Sequence, residues 1–150
     1  SVCYIDMEKS CGVVLLNSDN VLVLQYAVGQ KEGNWDLKGH WDFPKGHVDE
    51  EETEIETATR ELEEETGIKD IAFFDKFRKT INYTFQRGDR TIGKEVIFFL
   101  AKTIEKEVNL SHEHVDFEWL DFKSALKRLT YENARSVLKE AIDFYEKAEV

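Results

Sequence analysis

Residues 46–68 read GHVDEEETEIETATRELEEETGI. Ten carboxylates stand between Asp49 and Glu65 against a single base, Arg60. Like charges three or four residues apart destabilise a helix, so such a segment needs a compensating charge. A divalent cation supplies one, because hard ions such as Mg²⁺ take oxygen ligands and bind through a few carboxylates together with substrate phosphates.

Spacing sharpens the reading. Each helical residue advances about 100° around the axis. With Glu61 at the origin, Glu54, Glu64 and Glu65 fall within an arc of roughly 100°. Ile55, Ala58, Leu62 and Thr66 occupy the adjacent arc, which predicts a buried stripe. Glu52, Glu56, Arg60 and Glu63 take the remaining side, and Arg60 is spaced to pair with Glu56 and Glu64. Most Glu-rich helices are simply solvated. Here the carboxylates are sorted, one group at the rim of the core and another toward water, and solvation alone does not require that.

The surrounding chain reads as one domain of 150 residues, with 41% hydrophobic and 34% charged residues, a soluble globular composition. A net charge of −11 argues against a nucleic-acid or anionic-membrane surface. The opening SVCYIDMEKS has no apolar run of the kind a signal peptide needs. The longest apolar run, residues 96–101, is too short to span a bilayer. Cys3 and Cys11 form no metal-ligand spacing and read as reduced thiols of a cytoplasmic protein.

Along the chain, residues 11–16 and 21–27 predict a hairpin about the turn Asn17-Ser18-Asp19-Asn20. Residues 28–39 read as a polar loop, and residues 41–43 as a brief strand stopped by Pro44. A helix is expected over residues 51–66, with Gly67 just past its end. Residues 71–85 and 91–101 predict two strands joined by Arg87-Gly88-Asp89-Arg90, and residues 117–120 a last short one. Asp121 is placed to cap a helix over residues 121–129, and residues 132–146 carry an apolar stripe of Ala134, Val137, Leu138, Ala141, Ile142 and Tyr145. The class is α+β.

Gly46, Glu52, Arg60, Glu61, Leu62, Glu64, Glu65, Gly67 and Ile68 fill, in register, every specified position of the Nudix box. The chain therefore resembles the Nudix hydrolases, which cleave nucleoside diphosphates linked to another moiety. The resemblance implies a mixed β-sheet sandwiched between the box helix and a C-terminal helix. It also implies Mg²⁺, with Mn²⁺ as a substitute, held by Glu61, Glu64, Glu65 and the Gly46 carbonyl, with Glu52 and Arg60 orienting the cluster.

Further motifs narrow the family. The Ala/Cys-Gly strand, PKGHV, the pair Asn82-Tyr83, Lys94 before a Val-Ile-aromatic strand, and LSHEH followed by an aromatic-Trp-Leu resemble the asymmetrically cleaving diadenosine tetraphosphate hydrolases over residues 10–145. That resemblance assigns Glu113 as a metal-linked or base-like carboxylate, His40, Lys45, His47 and Lys94 as phosphate contacts, and Tyr83 and Tyr131 as base-stacking rings. The expected reaction is water attack on phosphorus in diadenosine tetraphosphate, giving ATP and AMP. Its partner is a small-molecule nucleotide, with no nucleic acid and no membrane, and the protein acts as a monomer. Two departures stand out: a long loop over residues 29–39 containing Trp35, and Asp49-Glu50-Glu51 where Pro-Gly is usual.

Alternatives remain at this point. Another polyphosphate fits the same box: a diphosphoinositol polyphosphate, 5′-triphosphorylated RNA or a modified nucleoside triphosphate. A nucleotide-sensing module without catalysis is the rival class. Tyr83 also reads as a core aromatic, Trp35 and Trp41 as pocket or core, Trp119 as core, and His112 and His114 as solvated loop residues.

Overall fold

A computed structural model of the chain describes residues 6–28 and 38–148. Its order is β1 (Asp6–Asn17), β2 (Asn20–Ala27), β3 (Lys38–Asp42), β4 (Lys45–His47), α1 (Glu54–Thr66), β5 (Ala72–Arg87), β6 (Arg90–Lys102), β7 (His114–Asp121), α2 (Phe122–Arg128) and α3 (Glu132–Ala148). The expected elements are present and most strands run longer than their apolar runs, but β3 starts at Lys38, within the expected loop, and ends at Asp42, and the chain pairs again after Pro44 as β4, which the sequence reading did not expect. The polar start of β1, residues 6–10, was not legible as strand. It is held by parallel pairing of Asp6 to Leu16 with Ile92 to Lys102 of β6.

The sheet runs β3-β2-β1-β6-β5, with β4 paired to β1 and β7 paired to β2. It is mixed, because β1 and β6 are parallel while the other pairs are antiparallel. Strand side chains alternate between faces, and the two central strands are apolar on both. Val14, Leu16, Val96, Phe98 and Leu100 pack with Val137, Leu138 and Ala141 of α3. Cys11, Val13, Leu15, Ile97, Phe99 and Ala101 pack with Ala58 and Leu62 of α1. The sheet is thus covered on one face by α1 and on the other by α3, the α+β architecture expected of the Nudix fold.

Three sequence-level readings of α1 need correction. The helix begins at Glu54, not residue 51, because Thr53 caps it. The Thr53 hydroxyl accepts from Glu56 N–H while the Glu56 carboxylate accepts from Thr53 N–H. Glu51, with φ of 68°, lies in the left-handed turn before that cap. Ile55 is 40% exposed rather than buried, whereas Thr57 and Glu65 are buried. The buried stripe is therefore rotated by roughly 45° toward Glu61 from the one that apolarity alone suggests. Finally, Arg60 does not pair with Glu56, which the capping box engages. The C-terminus of α1 closes as expected on Gly67 (φ 78°), whose N–H donates to Glu63 O.

Cys11 is buried, and burial pushes its thiol up to about 11, so it is an inert core residue. Cys3, Trp35 and most of the 29–39 loop lie outside the described residues. Trp41 packs at the edge of the α3-side core, and Trp119 packs at the edge of the α1-side core.

Candidate active site

Strand β4 organises the site, since its three residues face three different surroundings. Lys45 N–H donates to Glu65 Oε1 at 2.9 Å, while the Lys45 side chain lines a cavity on the α3 side. Gly46 lies directly under the Glu61 carboxyl group, and a Cβ there would occupy the same space. Only glycine leaves the Glu61 carboxylate room to lie against β4. His47 Nε2 stands 3.0 Å from Lys94 Nζ and 3.4 Å from Glu8 Oε2.

Arg60 is the hub of the exposed half of the cluster. Its Nε donates to Glu52 Oε2 at 2.7 Å and its Nη2 to Glu52 Oε1 at 3.0 Å. Its Nη1 donates to Glu61 at 2.8 Å and to Glu64 at 3.2 Å, and Nη2 also reaches the His47 carbonyl at 2.9 Å. Glu52 further accepts from Asp49 N–H and the Thr57 hydroxyl. The Arg60 guanidinium holds Glu52 down to about 2.

Glu65 forms the buried half. It is 3% exposed, and its Oε2 lies 3.0 Å from His114 Nε2, whose side chain is fully buried. These two atoms are close without hydrogen-bond alignment, and neither has another partner among the described residues. Ser111 Oγ approaches His114 Nδ1 at 3.1 Å, and Tyr26 meets the His114 ring edge-on at 4.3 Å between centroids. His114 is therefore no solvated loop residue: it belongs to β7 and ties it to α1.

Burial raises the carboxyls of both Glu61 and Glu65 above the usual range. In Glu61 the charges of Glu64 and Glu113 add to the rise while Arg60 opposes it; in Glu65 the Glu61 charge adds and His114 opposes. Glu113 reaches this group from the exposed turn before β7, where its carbonyl accepts from Ala27 N–H. The structure thus brings Glu64, Glu65 and Glu113 within electrostatic range of Glu61, which itself lies against Gly46.

An all-oxygen set of clustered carboxylates whose charges oppose one another fits a hard divalent cation. As they stand, no three His, Cys, Asp or Glu side chains among the described residues are arranged to hold one. Arg60 draws Glu61 and Glu64 to itself, and Glu65 turns inward to Lys45 and His114.

The adjoining cavity has a volume of about 590 Å³, and His40, Lys45, Tyr83, Phe85 and Tyr131 are in its wall. His40 stacks flat on Tyr26 at 4.8 Å and leans toward Tyr131 at 5.3 Å. Tyr83 and Tyr131 are both exposed, so Tyr83 is not the core aromatic that β-propensity allowed. Lys94 sits apart from this wall. It is 6% exposed, and burial lowers its pKa while Glu8 opposes the shift.

Two residues of the site escaped sequence reading. One is His114 as the partner of Glu65. The other is Asp42, buried in the cavity wall; the signal was an acid flanked by the aromatics Trp41 and Phe43.

Comparison with known proteins agrees with this geometry. Residues 7–141 match the NUDIX domain. The chain is 38% identical over 109 residues to the asymmetrical bis(5′-nucleosyl)-tetraphosphatase of Rattus norvegicus, covering 70% of this chain and 71% of that protein. It is 24% identical over 155 residues to an RNA pyrophosphohydrolase of Pelagibacter ubique, covering 91% and 94%. Among solved structures, a C. elegans Ap4A hydrolase binary complex matches with a TM-score of 0.79 at 29% identity, covering 93% of this chain and 98% of that one. The carboxylate-lined α1, the glycine beneath Glu61 and this similarity together place the chain in the Nudix hydrolase family.

Proposed function

We propose that the chain is a Mg²⁺-dependent pyrophosphohydrolase of dinucleoside polyphosphates, with diadenosine tetraphosphate as the expected substrate and ATP and AMP as products. One observation carries the reading: Lys45 joins the two halves of the site, its N–H on the carboxylate cluster and its side chain in an aromatic-walled cavity. A nucleoside in that cavity would extend its phosphate chain past Lys45 toward Glu61.

Glu61, Glu64, Glu65, Glu113 and the Gly46 carbonyl would hold the cation, with Mn²⁺ as a substitute. When bound, such an ion neutralises phosphate charge and lowers the pKa of a bound water. The side chains do the rest. Lys45 and Lys94 supply positive charge for the phosphate chain, and His40 and His47 add hydrogen-bonding rings. Tyr83 and Tyr131 offer faces for base stacking. Glu113, exposed and next to the cluster, accepts a proton from the attacking water. Arg60 and Glu52 hold Glu61 and Glu64 in place. Phosphoryl transfer needs little more than positioning and charge stabilisation.

The similarity to RNA pyrophosphohydrolases supports a second reading, 5′-triphosphorylated RNA. The net charge of −11 disfavours it, because RNA binding draws on a basic path. We place the protein in the cytoplasm, acting as a monomer, with no membrane or nucleic-acid partner; among the described residues no helix is long and apolar enough to cross a membrane.

The test is incubation with Mg²⁺ and diadenosine tetraphosphate, with 5′-triphosphorylated RNA in parallel. ATP and AMP in equal amounts are expected. Two ADP, or turnover of the RNA alone, would overturn the assignment. Glu64→Gln should abolish most of the rate and leave the fold intact.

A further inference from the structure

We propose that Asp42 reads the base of the bound nucleoside and that the cavity prefers guanine to adenine. The inference rests on the nucleotide reading above and deepens it, since the class remains the dinucleoside polyphosphates while the preferred base within it changes.

The aromatic rings of the cavity cannot choose between bases, because every base offers a π-face. Choice requires a polar group aimed at a base edge. Asp42 is 8% exposed and lines the cavity. Its Oδ1 accepts from Phe43 N–H at 2.7 Å, and the charge of Lys45, in the same cavity wall, favours its ionised form against the upward push of burial. A carboxylate in a cavity wall favours a ligand that brings hydrogen-bond donors to it.

The carboxylate is also well fixed. Asp42 pairs with Leu24 across β2 and β3. Its neighbour Trp41 exchanges hydrogen bonds with Thr130, at 2.8 Å to the hydroxyl and 3.3 Å from the Thr130 N–H. That exchange also sets Tyr131, the next residue, at the cavity wall. A site held by strand pairing on one side and a second element on the other is geometrically precise.

An ionised carboxylate only accepts, with about four lone-pair positions on its two oxygens. Guanine presents two adjacent donors on its pairing edge, N1–H and the exocyclic N2 amine. Oδ2 can take one, and Oδ1 retains a lone pair for the other. Adenine presents a single amine beside the N1 lone pair, which a carboxylate repels. A phosphate group is repelled for the same reason, so the base end of the substrate enters here and the phosphates lie toward Lys45.

Isothermal titration with GMP and AMP, together with initial rates on diguanosine and diadenosine tetraphosphate, tests the proposal on the wild-type protein and on Asp42→Asn. The wild type should bind GMP about ten- to a hundred-fold more tightly than AMP, the discrimination of one bidentate pair. Asp42→Asn keeps the shape but presents an amide, which accepts from the adenine amine and donates to N1. It should invert the preference. These ratios do not depend on the fraction of protein folded, so a stability loss in the variant cannot imitate the result. Equal or tighter AMP binding by the wild type, or a ratio unchanged in Asp42→Asn, would overturn the assignment of Asp42. If the GMP preference and its inversion hold while neither tetraphosphate is cleaved, base reading stands and the proposed reaction falls.

Discussion

Replacing His114 with alanine probes the pairing on which the buried half of the site depends. In the native protein Glu65 is 3% exposed and the His114 side chain fully buried, with Oε2 and Nε2 3.0 Å apart. Neither atom has another partner among the described residues. His114→Ala leaves Glu65 with only the Lys45 N–H. Removing one member of a buried pair costs about 3–5 kcal/mol. At roughly 2–4 °C per kcal/mol for a chain of this size, the midpoint should fall by about 6–20 °C. Glu65→Gln keeps the volume and still accepts from Lys45, so it should be milder, at about 1 kcal/mol. The double variant isolates the pair, with an expected coupling of about 1–3 kcal/mol. Calorimetric unfolding of the four proteins measures all of these values. If His114→Ala loses less than about 1 kcal/mol, or the coupling vanishes, the pair does not hold β7 against α1 and the reasoning fails.

Other expectations follow from the same geometry. Gly46→Ala must push the Glu61 carboxylate aside; because that carboxylate is the end of a flexible side chain, activity should fall at least about ten-fold, as misplacement costs, while the unfolding midpoint barely moves. Thr53→Ala removes the hydroxyl of the capping box and should cost about 1 kcal/mol, read by chemical denaturation. Glu52 is held at about 2 against an ordinary 4.5; a folded pKa below the unfolded one gives stability that is present above pH 4.5 and lost as pH falls toward 2. Glu52→Gln should flatten that part of the stability–pH curve, and an unchanged slope would show that the Arg60–Glu52 pair contributes nothing there.

How far the chain could be read depended on the range of the forces involved. The carboxylate face of α1 was legible because helical periodicity is covalent and local: Glu61, Glu64 and Glu65 share a face in any helix containing them. The start of that helix was less legible. Thr53 and the run of glutamates before it all favour a first turn, and the reciprocal hydrogen bonds with Glu56 decided the matter. Arg60 shows the same limit. Spacing offered it Glu56 and Glu64, but Glu52 folds back from the preceding turn and takes two of its donors.

By itself the sequence determined the apolar runs of the central strands, the two helices that cover them, and the family to which the chain belongs. Each rests on periodicity or on contiguous spacing, which survive without knowledge of partners. Only the tertiary structure decided which carboxylates are buried and which are free. Glu65 differs from Glu64 because Lys45, 20 residues away, and His114 close over it. Asp42 becomes part of a cavity because Thr130, 89 residues from Trp41, brings Tyr131 beside it. Burial is set by surfaces that distant segments supply, and no local pattern records which of them will meet.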